Sequence, residues 1–177
     1  MNHRQIIGKK KYVFKKYSNI YGLAFKIERR RLLAGMRGLD VRIEHVGSTA
    51  VPGLGGKNIL DILVGIRNGR RERIKGKITE LGYDFIETSG NARRLFFVRD
   101  VKHSGKDIRM HLHLVKFNGY EWRQKILFRN YLRRHRNAML EYADVKKRAV
   151  ILAKGDKEAY MKLKEGFING IMKQAIR

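Results

Sequence analysis

A chain of 177 residues, 43% hydrophobic and without cysteine, is long enough for a full core and excludes disulfide scaffolds, thiolate zinc sites and cysteine nucleophiles. Its 41 lysines and arginines against 16 acidic residues leave a net charge of +25, concentrated in residues 1–40 and 121–177, a field that draws polyanions. No apolar run approaches the roughly 20 residues of a membrane helix, so a soluble chain with no membrane partner is expected. The absence of cysteine suits a reducing, cytoplasmic compartment.

The basic stretch at 3–11 is not followed by an apolar segment of signal-peptide length. Residues 19–38 are predicted to form an amphipathic helix with Ile20, Leu23, Ile27, Leu32 and Leu33 near one face. Val41–Val46 alternates enough for a strand, and residues 47–56 form a glycine-rich turn. Ile59–Ile66, β-branched and bounded by glycines, reads as a buried strand. A helix over 70–81 ends at Gly82. Strands over 94–101 and 108–117 follow, joined at 103–107 by residues with hairpin chemistry. Helices are predicted over 122–136, 138–153 and 157–175, with Gly155-Asp156 as punctuation. The order implies an α/β (α+β) fold, a sheet flanked by helices, as one domain over 1–177. Its core would span about 20–118 and its helical C-terminal segment about 119–177.

The stretch from His45 to Val64 carries most of the chemistry. It is neither a Walker A loop nor a dinucleotide fingerprint, because the required Gly-Lys-Ser/Thr ending and third glycine are missing. What remains is a strand, a Gly47-Ser48 turn, a flexible glycine loop and a second strand carrying one carboxylate, Asp61. Glycines let backbone N–H groups approach a phosphate. Ser48 and Thr49 offer hydroxyls, and Lys57 offers a point charge. Strand alternation places Asp61, Leu63 and Gly65 on one face and Ile62, Val64 and Ile66 on the other. A lone ionised carboxylate on a packed face is expensive, so Asp61 is expected to open on a cleft or meet a cation; capping a loop or pairing with an arginine is the structural alternative.

This string resembles the GrpB (UPF0157) family of the nucleotidyltransferase superfamily. The resemblance is carried by Glu44-His-Val-Gly-Ser-Thr-Ala-Val-Pro-Gly-Leu54, Lys57 and Ile59-Leu-Asp-Ile-Leu63. It continues in His111-Leu-His113, Phe128-Arg-Asn-Tyr-Leu-Arg133, and Asp156 with Tyr160, Lys164 and Phe167-Ile168. The resemblance implies a nucleotidyltransferase-like mixed sheet, a Gly47-Ser48 turn that holds a nucleoside triphosphate, and Asp61 as first carboxylate, with Asp61 and Ser48 as the catalytic candidates. In the superfamily a second aspartate lies two positions on and a third on a neighbouring strand, and together they hold two Mg²⁺ ions. Here the second position is Leu63, and the third falls on the strand of His111 and His113. Asn58, Asn130 and Lys157 stand where the family usually has proline, aspartate and arginine.

Asp61, His111 and His113 together form a candidate metal site, for Mg²⁺ by the resemblance and for a zinc-like ion by ligand type. The alternative is a polar groove for a phosphate or carboxylate. His45 is expected to be packed and hydrogen-bonded rather than a catalytic base. Arg129 and Arg133, four apart with Lys125 one turn earlier, form a candidate phosphate clamp or polynucleotide path, or simply a solvated face. Two functions are therefore open. One is a nucleotidyltransferase moving a nucleotidyl group from a triphosphate to an acceptor. The other is a non-catalytic nucleotide- or RNA-binding module, with RNA contacts that are electrostatic and sequence-blind.

Overall fold

The computed structural model describes residues 13–57, 59–67 and 69–176. The basic stretch at 3–11 and Asn58 lie outside them. Five strands form one mixed sheet in the order β1-β2-β5-β4-β3. These are β1 (Val41–Val46), β2 (Ile59–Ile66), β3 (Asp84–Phe85), β4 (Arg94–His103) and β5 (Lys106–Lys116). Only β2 and β5 pair in parallel; the other neighbours are antiparallel. The helices are α1 (Ile20–Gly35), α2 (Arg71–Glu80), α3 (Tyr120–Arg134), α4 (Arg136–Leu152) and α5 (Lys157–Ala175).

β2 is apolar nearly throughout because it is interior to the sheet and covered on both faces. One face carries Leu60, Ile62, Val64, Met110, Leu112 and Leu114 and packs against α1 and α2 through Ala24, Leu32, Ile74 and Ile78. On the opposite face Leu63, Val46 and Val115 meet Trp122 of α3. Trp122 lies flat enough on β2 that a side chain at Gly65 would strike its ring. Val51 and Leu54 of the glycine-rich turn pack with Leu132, Met139, Tyr142 and Ala143, so α3 and α4 close over the turn. Ala149, Ala153 and Tyr160 join α4 to α5.

The β4–β5 turn has Ser104 at φ 49° and Gly105 at φ 73°, the positive pair that a two-residue hairpin of matching twist requires. β3, two residues long, is too short to show a period and escapes sequence reading. The break between α3 and α4 falls at His135, not at 137. There the His135 Nδ1 bonds the Tyr131 carbonyl at 2.9 Å and its ring stacks on Tyr131, capping α3 from its own end.

The buried stripe of α1 also differs from the predicted one. Leu23 and Ile27 are 53% and 47% exposed, and Tyr21, Ala24, Glu28 and Leu32 face the sheet instead. The rotation follows from a buried carboxylate. Glu28 is held by Arg31, by Arg99 of β4 at 3.1 Å and by the Tyr83 hydroxyl at 2.8 Å. Burial pushes this carboxyl up, but bonds from Arg31 and Tyr83 and the two guanidinium charges more than reverse it, leaving it below the usual range. Hydrophobicity alone does not reveal a helix face organised around an ion pair. Among the described residues, no helix is long and apolar enough to cross a membrane.

Candidate functional site

Between β1 and β2 the chain turns at Gly47, with φ 72° and ψ −171°, a conformation almost restricted to glycine. A Cβ there would also collide with the Asp61 carboxylate, so turn and aspartate are packed directly together. Ser48 opens the short 3-10 turn Ser48–Ala50 and stays partly exposed, its Oγ beside Gly56.

Thr49 has a different part. Its hydroxyl donates to the Ile59 carbonyl at 2.9 Å, and its oxygen lies 3.0 Å from His45 Nε2. With the only hydroxyl hydrogen used, His45 Nε2 must carry the proton and donate to Thr49. Thr49 is buried and its hydroxyl hydrogen is already engaged, so its side chain has no donor left to offer a phosphate. His45 is stacked on Phe25 of α1 at 4.8 Å, on the face opposite Asp61. Burial lowers its pKa to about 4, against the pull of Asp61, so it is a neutral, packed histidine.

Asp61 pairs in register with His111, and Leu63 with His113, so the parallel β2–β5 ladder brings carboxylate and imidazoles to one face. Asp61 Oδ1 is 3.7 Å from His111 Nδ1 and 3.5 Å from His113 Nε2. Phe96 of β4 closes the far side, its ring 4.9 Å from His111 and 5.2 Å from His113. Burial pushes His111 down to about 4 and His113 well below the usual imidazole value, while burial pushes Asp61 up against the opposing charges of His111 and Lys125. The imidazoles are thus neutral at physiological pH.

This donor set does not fit magnesium. Mg²⁺ demands hard oxygen ligands, yet the position two after Asp61 is Leu63, fully buried against Val46, Val115 and Trp122. The neighbouring strand supplies nitrogens. Among the described residues no group of three His, Asp or Glu side chains is disposed to hold a metal ion.

Four lysines lie in the field of Asp61. Lys57 follows the glycine loop, Lys125 projects from α3, Lys146 from α4 and Lys164 from α5. Lys57 Nζ lies 3.8 Å and Lys164 Nζ 4.1 Å from the Tyr160 ring centroid, a cation–π geometry shared by two ammonium groups. Lys146 donates to the Gly55 carbonyl and lies 5.1 Å from the Tyr142 ring. Burial is the main cause of low pKa values at all four; Lys57 and Lys146 fall to about 7 and Lys164 to about 8. Asp61 acts on each in the opposite direction. Lys146 and Lys164 are 3% and 8% exposed, and among the described residues neither they nor Lys125 pair with a carboxylate within 4 Å.

Sequence reading singled out Lys57, noted Lys125 and Lys164, and missed Lys146. A signal existed: Tyr142-x-x-x-Lys146 and Tyr160-x-x-x-Lys164 repeat one spacing, which on a helix sets each lysine one turn from its tyrosine.

Arg129 is a brace. Its guanidinium donates to Glu44 Oε2 at 2.7 Å, to the His45 carbonyl at 2.8 Å and to Asn130 Oδ1 at 3.0 Å, tying α3 to β1. It is buried, and these bonds tie it to β1 and Asn130. Arg133 donates to the Ala50 carbonyl at 2.8 Å and lines a cavity of about 330 Å³ with Pro52, Leu132, Arg136 and Met139.

The chain is similar to known proteins. The GrpB protein family profile matches residues 12–174. A UPF0157 protein of Pseudomonas aeruginosa is 35% identical over 135 residues, 76% of this chain; the chain spans 55% of that relative's length. The crystal structure of GrpB from Enterococcus faecalis superposes with TM-score 0.77 at 27% identity, covering 92% of this chain and 96% of that one. The Cid1 poly(U) polymerase superposes with TM-score 0.52 at 16% identity, covering 78% of this chain and 46% of its own, and shares the fold alone. The family match spans the Gly47 turn, the β2 aspartate and the α5 lysine, and the chain belongs to the GrpB family, on a nucleotidyltransferase-like fold.

Proposed function

We propose that the Asp61 cleft binds a nucleoside triphosphate or a related phosphate ester, held by Gly47, Ser48 and the surrounding lysines. The observation that carries this reading is the gathering of lysines at the glycine-rich turn: Lys146 is bonded to the Gly55 carbonyl, Lys57 and Lys164 share the Tyr160 ring, and all lie in the field of Asp61. Desolvating several ammonium groups without matching carboxylates is costly, and a polyanionic ligand supplies the missing charge. Gly47 and Ser48 sit open at the mouth of this cluster, where a turn can present N–H and O–H donors. The test is a thermal-shift and calorimetric series with ATP, GTP, CTP, UTP, pyrophosphate and phosphate. A ligand at 100 times its Kd stabilises by about 2.7 kcal/mol, a readily measured rise in Tm. No shift with any of these compounds defeats the reading.

A second reading adds nucleotidyl transfer, favoured by the Asp61 carboxylate lying directly against the Gly47 turn. An acceptor hydroxyl attacks the α-phosphorus, Asp61 takes its proton, and pyrophosphate leaves. Pyrophosphate release from a labelled triphosphate that is lost in Asp61→Asn supports transfer. Binding with no release under any acceptor leaves a binding module.

A further inference from the structure

Resting on that reading, we propose that the cleft takes its ligand as the free polyanion, a nucleoside di- or triphosphate or similar phosphate ester without a divalent cation. The lysine ammonium groups supply the positive charge that a bound metal supplies elsewhere.

Three independent features lead here. First, β2 carries one carboxylate, Asp61, and the position two beyond it is Leu63. Leu63 is locked into the Trp122 cluster and cannot turn outward, and Asp61 is packed against Gly47 on one side with His111 and His113 within 3.7 Å on another. Second, the cations already present come from four separate elements. Lys57 arises from the turn, Lys125 from α3, Lys146 from α4 and Lys164 from α5, and all four lie in the field of Asp61. A dication brought to Asp61 enters the field of several ammonium groups and is repelled, whereas a free polyphosphate neutralises them. Third, the lysines are placed by the fold. Lys146 is anchored to the Gly55 carbonyl, and Lys57 and Lys164 are both seated on Tyr160. Their positions are built before any ligand arrives, as a cradle requires.

The experiment is isothermal titration of the full chain with ATP, and separately with pyrophosphate, at matched ionic strength in EDTA and in excess Mg²⁺. It is run on wild type, Asp61→Asn and Lys164→Met. We expect one-to-one binding in EDTA that is equal to or tighter than in Mg²⁺. Asp61→Asn, which removes the negative charge whose field all four lysines share, is expected to bind several-fold tighter, and Lys164→Met about tenfold weaker. ATP binding that appears only with Mg²⁺ overturns the inference and leaves the phosphate-binding reading intact. Binding in EDTA that is unchanged in Lys164→Met places the anion on the outer surface and also overturns it. Absence of binding in both buffers defeats the phosphate-binding reading and the inference together. Should Asp61→Asn fail to fold by circular dichroism, the wild-type comparison of the two buffers decides alone.

Discussion

Lys164 shows how a single residue can weaken the fold while serving a ligand. The residue is 8% exposed and its ammonium donates to the Met161 sulfur at 3.4 Å, a weak acceptor. Burial drives its pKa down to about 8, so the ligand-free protein carries an incompletely solvated charge there. Lys164→Met keeps the volume and removes the charge. The ligand-free variant is expected to melt a few degrees higher than wild type while binding phosphate ligands about tenfold more weakly, the loss of one charge-assisted bond of roughly 1.5 kcal/mol. Melting curves and calorimetry on the same preparation check both. A variant that melts lower and binds normally would make Lys164 a structural residue. Asp61 and Ser48 were legible as candidates from the strand and turn they occupy. Lys125, Lys146 and Lys164 were not read together, because each lies in a different helix and a charged helical position looks the same whether it meets water or a cleft.

The β1–turn–β2 element is the part of the site whose geometry the local sequence dictates most fully. Gly47 must be glycine twice over, for its positive φ and for the carboxylate packed against it. Gly47→Ala is therefore expected to cost about 1–3 kcal/mol and to push Asp61 off its position. Urea denaturation should show the loss, and phosphate binding should fall with it. An unchanged midpoint would mean that the turn relaxes freely and that Asp61 is not held by it. The neighbouring Thr49 latch shows where element-level reading falls short. A Gly-Ser-Thr string offers two hydroxyls to a ligand on paper, but the turn brings Thr49 back onto the Ile59 carbonyl and His45, and only Ser48 faces outward. In α1 the same limit appears differently. Its helical period was legible, yet its rotation was set by Glu28 meeting Arg99 and Tyr83 from other elements.

At the scale of the molecule, the surplus charge of residues 121–177 does not all face solvent. α3, α4 and α5 carry Lys125, Lys146 and Lys164 back over the sheet to Asp61. This placement predicts opposite pH trends for stability and binding. In the unfolded chain these lysines hold their protons to near pH 10.5, whereas in the folded one Lys57 and Lys146 release them near 7 and Lys164 near 8. Between those values the unfolded state binds more protons, so the stability of the ligand-free protein rises with pH through this window. Affinity for a polyanion falls over the same range as the ammonium groups are lost. Denaturation and titration with ATP at about pH 7.5 and about pH 9.5, above the last phosphate ionisation near 6, should give a higher midpoint and weaker binding at the upper value. Affinity that holds or grows with pH would remove the lysines from the binding site.

By itself the sequence determined the order of the elements apart from β3, the hairpin at Ser104-Gly105, the glycine turn and the single aspartate on an otherwise apolar strand. Each of these is a local matter of φ, ψ and strand period, carried by neighbours in the chain. The tertiary structure decided what surrounds that aspartate. It set β2 beside β5 in parallel, which brought His111 and His113 to Asp61. It spent Arg129 on Glu44 and the Thr49 hydroxyl on Ile59, and it buried Lys146 and Lys164 from two C-terminal helices. Burial depends on contacts between residues far apart in the chain, and it is burial that turns a surface lysine into part of a charged cleft.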